Sequence, residues 1–149
     1  MTSSIFWYDD DTTGSNPRDD RARQMAGIRT DTDLKEIAAP VNLRCQLSDD
    51  ILPHPAACMI TGITPATLVE KGLCEADCMT RVHAELSAPG TCGAGYNTLR
   101  FDDEVTRYSF YRNFSVPSAR EWPGCNRRWA PIVVARAAYA VRREGSGCP

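Results

Sequence analysis

The stretch IFWYDDDTTG, residues 5–14, runs four large apolar side chains directly into three consecutive carboxylates. Residues 5–8 read as a short buried strand, apolar on both faces. The aspartates that follow are electrostatically awkward, because like charges a few ångströms apart repel and raise one another's pKa. A strand sends alternate side chains to opposite faces, so Asp9 and Asp11 share one face and Asp10 takes the other. Two carboxylates on one face at the end of a buried strand are half of a site for a hard cation such as magnesium. A divalent ion there would reverse the local repulsion. The plain alternative is a polar strand end entering a turn, since Gly14, Asn16 and Pro17 follow at once.

Outward from this stretch the pattern is mixed. Residues 24–30 and 36–47 read as two more strands joined by a hairpin at 31–33, which makes an antiparallel meander. Helical signals follow. Thr64 is an N-cap, Pro65 takes the first helical position and Gly72 closes the segment. Residues 75–86 place Ala76, Met79, Val82, His83 and Leu86 at helical spacing. Residues 91–97 form a short strand ending in a turn. Residues 102–114 form a helix with Val105, Phe110 and Phe114 among its buried positions, and 131–143 a last helix with Pro131 near its start. The expected class is α/β, a mixed sheet whose first three strands are antiparallel, with flanking helices and the first strand central.

The 149 residues suit one domain, and 42% apolar content is enough for a core. No run approaches the roughly 20 apolar residues of a membrane span. The N-terminus lacks the basic and apolar regions of a secretory signal. The seven cysteines are odd in number and contain no C-x-x-C, which reads as reduced, structural thiols in a cytoplasmic protein. Cys74 and Cys78 stand one helical turn apart but fall short of four zinc ligands. Net charge is −2, yet residues 1–104 carry 9 bases against 17 acids, whereas 105–149 carry 8 arginines against 2 acids. That asymmetry permits an anionic partner along the C-terminal part, or an ordinary solvated surface.

A second acidic stretch sharpens the reading. In YNTLRFDDEVTR, residues 96–107, Asp102, Asp103 and Glu104 open a helix, where the dipole favours negative charge. Acids are common there. An aromatic immediately before the first acid, with Asn97 five residues upstream, is narrower. DDDTTG resembles the D-x-E-T-x-G motif of the DEDD (DnaQ-like) 3′→5′ exonucleases, and YNTLRFDDEVTR resembles their second motif, N-x-x-x-F-D. MITGITP, residues 59–65, resembles the segment after their third strand. Within that superfamily the likeness is to the bacterial exodeoxyribonuclease I family and covers most of the chain.

The resemblance implies an RNase H-like five-stranded sheet and removal of nucleotides from the 3′ end of single-stranded DNA. It implies two Mg²⁺ ions roughly 3.5–4 Å apart, with Mn²⁺ able to substitute. Asp9, Asp11 and Asp102 would be the catalytic metal ligands. Thr12 would hold the terminal nucleotide, Ile60, Thr61 and Gly62 would line the pocket for its base, and Asn97 would support the second motif. Arg107, Tyr108, Arg112 and Tyr111 are candidates for a strand-binding groove. A single-stranded DNA-binding protein is an implied partner, a membrane is not, and a monomer is expected. A non-catalytic single-strand-binding module on the same fold is the alternative, and a related exoribonuclease or proofreading subunit a third.

The chain departs from the family twice. Asp11 replaces the motif's glutamate, drawing its carboxylate back by roughly 1.5 Å, one C–C bond. The third motif, a histidine with an aspartate five residues on, is absent. His54 and His83 are the only histidines, followed at that spacing by Met59 and Ala88. Residues 1–149 therefore read as a partial exonuclease domain lacking its last strand, catalytic helix and third motif, with little turnover alone. Ala130 and Val133 are neutral where the family tends to carry acids.

Overall fold

The computed structural model describes residues 3–114 and 126–142. The opening stretch becomes β1 (Ser4–Thr12), longer than its apolar run because the three aspartates continue the strand. It pairs antiparallel with β2 (Ala22–Thr30), and β2 pairs antiparallel with β3 (Val41–Arg44). On its other edge β1 pairs parallel with β4 (Thr91–Ala94), which pairs parallel with β5 (Arg127–Trp129). The order is β3-β2-β1-β4-β5, with β1 central. The sheet is mixed and its first three strands are antiparallel, as the sequence led us to expect.

Alternation along β1 sorts its side chains. Phe6 and Tyr8 are buried with Met25 of β2 against α3 (Glu75–Ser87), through Met79, Val82 and Leu86, and against α4 (Asp102–Arg112), through Val105 and Phe110. Ile5 and Trp7, on the opposite face, are only half-buried, and the Trp7 indole donates to Thr30 Oγ1 at 3.1 Å. The second face of β1 is thus less covered than its apolar run suggests. A Cβ on Gly27 would run into the Phe6 ring, so the close approach of β2 to that ring requires glycine. His83 is half-buried and meets Phe110 edge-on at 5.4 Å, a packing role.

Several boundaries move. Of residues 36–47 only Val41–Arg44 form a strand. Residues 32–40 are exposed, Leu34 has φ 64°, and Pro40 has no N–H to offer a ladder. Asp31 makes the bend by accepting the N–H groups of Asp33 and Lys35, each at 2.9 Å. Thr64 caps α2 (Pro65–Lys71) through the N–H of Thr67, and Gly72 ends it. A helix not anticipated, α1 (Pro55–Thr61), precedes it. Ala76 is exposed, and Cys78 takes the buried place on that turn of α3. Phe114, expected in the core, is 98% exposed, because α4 ends at Arg112 and the chain turns with φ 57° at Phe114. The last helix, α5 (Pro131–Ala140), stops short of Arg143, which lies outside the described residues.

Two corrections are larger. The chain does not lack the last strand of its sheet, because β5 lies against β4. Its sequence, RRW, has no apolar alternation, and tertiary bonds hold it. Arg128 donates to Asp103 Oδ2 at 2.7 Å, and the Asn126 amide donates to the carbonyls of Leu86 and Ala88. The thiols are not all reduced either. Cys45, at the end of β3, and Cys78, on α3, are wholly buried and bonded, with Cα atoms 5.7 Å apart. They stand 33 residues apart in the chain, and only the packing of α3 against the sheet joins them. Cys58, Cys74 and Cys92 are free, while Cys125 and Cys148 lie outside the described residues.

Asp103 links three elements. Its carboxylate is 1% exposed, accepts the Tyr8 hydroxyl of β1 at 2.7 Å and meets Arg128 of β5 at 2.7 Å. Tyr8→Phe should cost about 1.5–3 kcal/mol, the value of a hydrogen bond to a buried charged group. Denaturant unfolding of the variant measures it, and a loss under about 0.5 kcal/mol, the range of an ordinary surface substitution, would contradict the account.

Candidate active site

The C-terminal end of β1 carries Asp9, Asp10, Asp11 and Thr12, and the first turn of α4 carries Asp102 and Asp103. They stand ninety or more residues apart, and the Asp10 N–H ties them together by donating to Asp102 Oδ1 at 3.0 Å. Asp102 is buried by this docking. Asp10 turns to the face opposite Asp9 and Asp11, where the Thr106 hydroxyl lies 3.1 Å from Asp10 Oδ2 and 2.7 Å from the Asp102 carbonyl. At the end of β4, a Cβ on Gly95 would strike the Tyr8 carbonyl and Thr98, so β4 can approach β1 here only as glycine.

Asp9 is the exposed member of the group and the electrostatic neighbour of both others. Burial, then the Asp9 charge, raises the pKa of Asp11, and the Arg23 guanidinium opposes the rise. Burial alone dominates at Asp102, pushing it from 3.8 to about 6; the Asp10 N–H offsets part of this and Asp9 adds to it. The three carboxylates sequence analysis selected therefore fall into two pairs sharing Asp9. Among the described residues no three His, Cys, Asp or Glu side chains are grouped as a metal cluster. The donors are all carboxylate oxygens, which suits a hard divalent cation rather than zinc or copper.

Beside them opens a cavity of about 530 Å³. Its walls come from β1 (Asp10, Asp11, Thr12), the following turn (Gly14, Ser15, Asn16, Asp20) and α1 with its cap (His54, Ala56, Ala57, Ile60, Thr61). Thr12, Ile60 and Thr61 are thus brought together around one cavity. Ile60 is 84% exposed, so a large apolar side chain stands unburied at the rim. Gly62 ends α1 at φ 70°, a left-handed position that suits glycine, and does not line the cavity.

The other candidates lie elsewhere. Asn97 precedes the 3₁₀ turn Thr98–Arg100 and makes no side-chain cap bond, its carbonyl accepting the Arg100 N–H at 3.1 Å. Arg107 pairs with Glu104 at 2.8 Å along α4. Arg112 reaches Ser109 Oγ at 2.9 Å and Glu75 at 3.4 Å. Its pKa is lowered, first by burial and then by Arg21. Tyr108 is half-buried and Tyr111 exposed. None of these lines the cavity.

Sequence reasoning missed three contributors. His54 caps α1, its Nδ1 accepting the Ala56 N–H at 3.2 Å, which leaves Nε2 as the protonated nitrogen. Asp20 braces the turn after β1 by accepting the Thr13 hydroxyl and the Asn16 N–H, each at 2.7 Å. Arg23, on β2, is wholly buried behind the cavity. A proline-flanked histidine was a usable local signal for the first; nothing local marks the other two.

Because the folded protein holds the Asp102 proton more tightly than the unfolded chain does, stability should fall as pH rises from 3.8 through about 6. At 1.36 kcal/mol per pKa unit, ionised Asp102 costs the metal-free fold roughly 3 kcal/mol. Asp102→Asn keeps an oxygen for the Asp10 N–H and removes the charge. In EDTA the variant should melt higher than the parent at pH 7.5, with the gap closing near pH 4. A variant that melts lower at both would show that the buried charge is not the dominant cost.

Comparisons with known proteins bear on the family and the fold. An Exonuclease family model (RNase_T) matches residues 6–140. Exodeoxyribonuclease I of Haemophilus influenzae is 49% identical over 95% of this chain and 30% of its own length. An ExoI/SSB-Ct complex superposes at TM-score 0.93 with 46% identity, over all of this chain and 32% of the matched one. Escherichia coli exonuclease I bound to a dT13 oligonucleotide does so at 0.91 and 46%, over 99% and 32%. The chain spans about a third of the length of these relatives. No helix among the described residues is long and apolar enough to cross a membrane. With the mixed sheet in RNase H-like order and the family model spanning most of its length, the chain belongs to the exonuclease family.

Proposed function

We propose that this chain forms the part of a 3′→5′ exodeoxyribonuclease that receives the 3′ end of single-stranded DNA, within a partial exonuclease domain at residues 1–149. The observation that carries the reading is the Asp10 N–H to Asp102 bond, which docks the second acidic motif against the first beside the cavity. Asp9, Asp11 and Asp102 would hold Mg²⁺, with Mn²⁺ as a substitute. Exonucleases of this family generally use divalent metal ions. The cation, when bound, would activate water and stabilise the leaving 3′ oxygen. Thr12, Ile60 and Thr61 would seat the terminal nucleotide, while Arg107, Tyr108, Arg112 and Asn97 lie outside that cavity and would meet the strand further along or act structurally. The matched ExoI/SSB-Ct complex supports a single-stranded DNA-binding protein as partner of the longer protein.

The residues themselves point to weak chemistry in this chain alone. The His/Asp pair of the third motif is not found in the 149 residues, and a general base typically contributes 10²–10⁴-fold. His54 is no substitute, since capping α1 leaves Nε2 a donor. Asp11, one methylene short of glutamate, loosens a site that tolerates about 0.2 Å. These features favour binding over cutting as the second reading. With a 5′-labelled single strand and Mg²⁺ or Mn²⁺, this chain should release 3′ nucleotides at no more than trace rates, and Asp9→Ala should abolish what remains while leaving strand affinity largely intact. Robust release by the parent chain would overturn the claim of weak turnover. Release that survives Asp9→Ala would overturn the assignment of the site.

A further inference from the structure

Arg23 is 0% exposed, the largest fully buried side chain in the described structure, and among the described residues it touches no carboxylate at ion-pair distance. A guanidinium has five N–H donors in a fixed fork, and all five find acceptors here. Nε donates to the Thr12 carbonyl at 2.8 Å, at the end of β1. Nη1 donates to the Ile63 carbonyl at 2.9 Å and faces Cys58 Sγ at 3.6 Å. Nη2 donates to the Ala57 carbonyl at 3.2 Å and to Thr61 Oγ1 at 3.0 Å. One acceptor belongs to β1 and four to the α1 segment. These are the two walls of the cavity that the functional reading assigns to the terminal nucleotide.

Burying an unpaired cation is costly, and a core strand position would ordinarily hold an apolar residue. The two walls meet few other constraints. The His54 N–H to Thr13 carbonyl bond at 2.7 Å ties the start of α1 to the turn, but α1 itself has no buried residue. The cavity also carries Asp10, Asp11 and Asp20, a lining that repels a phosphodiester. The Arg23 fork bonds the carbonyl of Thr12, the residue next to Asp11 on β1, which sets its charge directly behind this lining. The guanidinium is therefore both a strut between the walls and a fixed positive charge behind an acidic pocket.

We propose that Arg23 is a positioning residue for the terminal nucleotide: it holds the Thr12 end of β1 and the Ala57 and Thr61 wall at one spacing, so that the cavity is preformed and less repulsive to phosphate. The proposal rests on the nucleotide reading of that cavity. Arg23→Met keeps the stem and removes the fork and charge; Arg23→Lys keeps the charge but has three donors on a point-like head in place of a fork that meets five acceptors. With dTMP and Mg²⁺ as the titrated probe, both variants should bind about tenfold more weakly or worse. Amide exchange across residues 57–63 should quicken in both. If either variant folds, melts lower and yet binds dTMP within about twofold of the parent, at temperatures well below melting, Arg23 is merely structural and the proposal fails. If the parent itself does not bind dTMP, the nucleotide reading fails, and the exchange measurement decides the strut separately: unchanged exchange at 57–63 in Arg23→Lys overturns it.

Discussion

The docking of the first turn of α4 against the end of β1 is the constraint from which the site follows. Two adjacent aspartates do this in different ways. Asp102 accepts the Asp10 N–H with one oxygen, and Asp103 reaches past it to the Tyr8 hydroxyl and to Arg128. The result joins the central strand, the helix and the edge strand β5 through buried polar groups rather than through apolar packing. Asp103 has its charge balanced by Arg128, while among the described residues Asp102 meets N–H dipoles and the like charges of Asp9 and Asp103. That difference separates their roles. The paired carboxylate holds structure, and the unbalanced one is left with a raised pKa and an unmet demand for positive charge.

Burial distributes that demand along β1. Asp9 is exposed, Asp11 half-buried and Asp10 buried beside Thr106, so three identical side chains in sequence occupy three environments. Period-two alternation sets which pair faces together, and at Asp11 burial raises the pKa while the buried Arg23 opposes the rise. The cavity beside them shares the same economy of elements. One wall is the end of β1 and the other is α1, a seven-residue helix held by caps and by a guanidinium rather than by a buried face.

The disulfide and β5 belong to the same theme of long-range ties. Cys45 and Cys78 join the outer strand β3 to α3, and Asn126 and Arg128 join β5 to the end of α3 and to α4. These ties secure the two halves of the sheet on either side of β1. Neither carries a local signature, since odd cysteines at scattered spacings and an Arg-Arg-Trp tripeptide are compatible with many structures.

What could be read from the residues themselves is what depends on neighbours in the chain. Strand alternation put Asp9 and Asp11 on one side, capping chemistry at Thr64, Pro65 and Gly72 marked α2, and helical spacing marked α3 and α4. Motif resemblance then pointed to Asp102 and to the segment that became the α1 wall. The fate of Phe114, the pairing of β5, the Cys45–Cys78 bond and the division of labour between Asp102 and Asp103 were decided only in three dimensions. Each depends on a partner distant in the chain, and no local pattern encodes which distant group a side chain will meet. Arg23 shows the limit most plainly: on a strand its sequence neighbours suggest a solvated charge, and only the converging carbonyls of residues 12, 57 and 63 make a buried cation the stable arrangement.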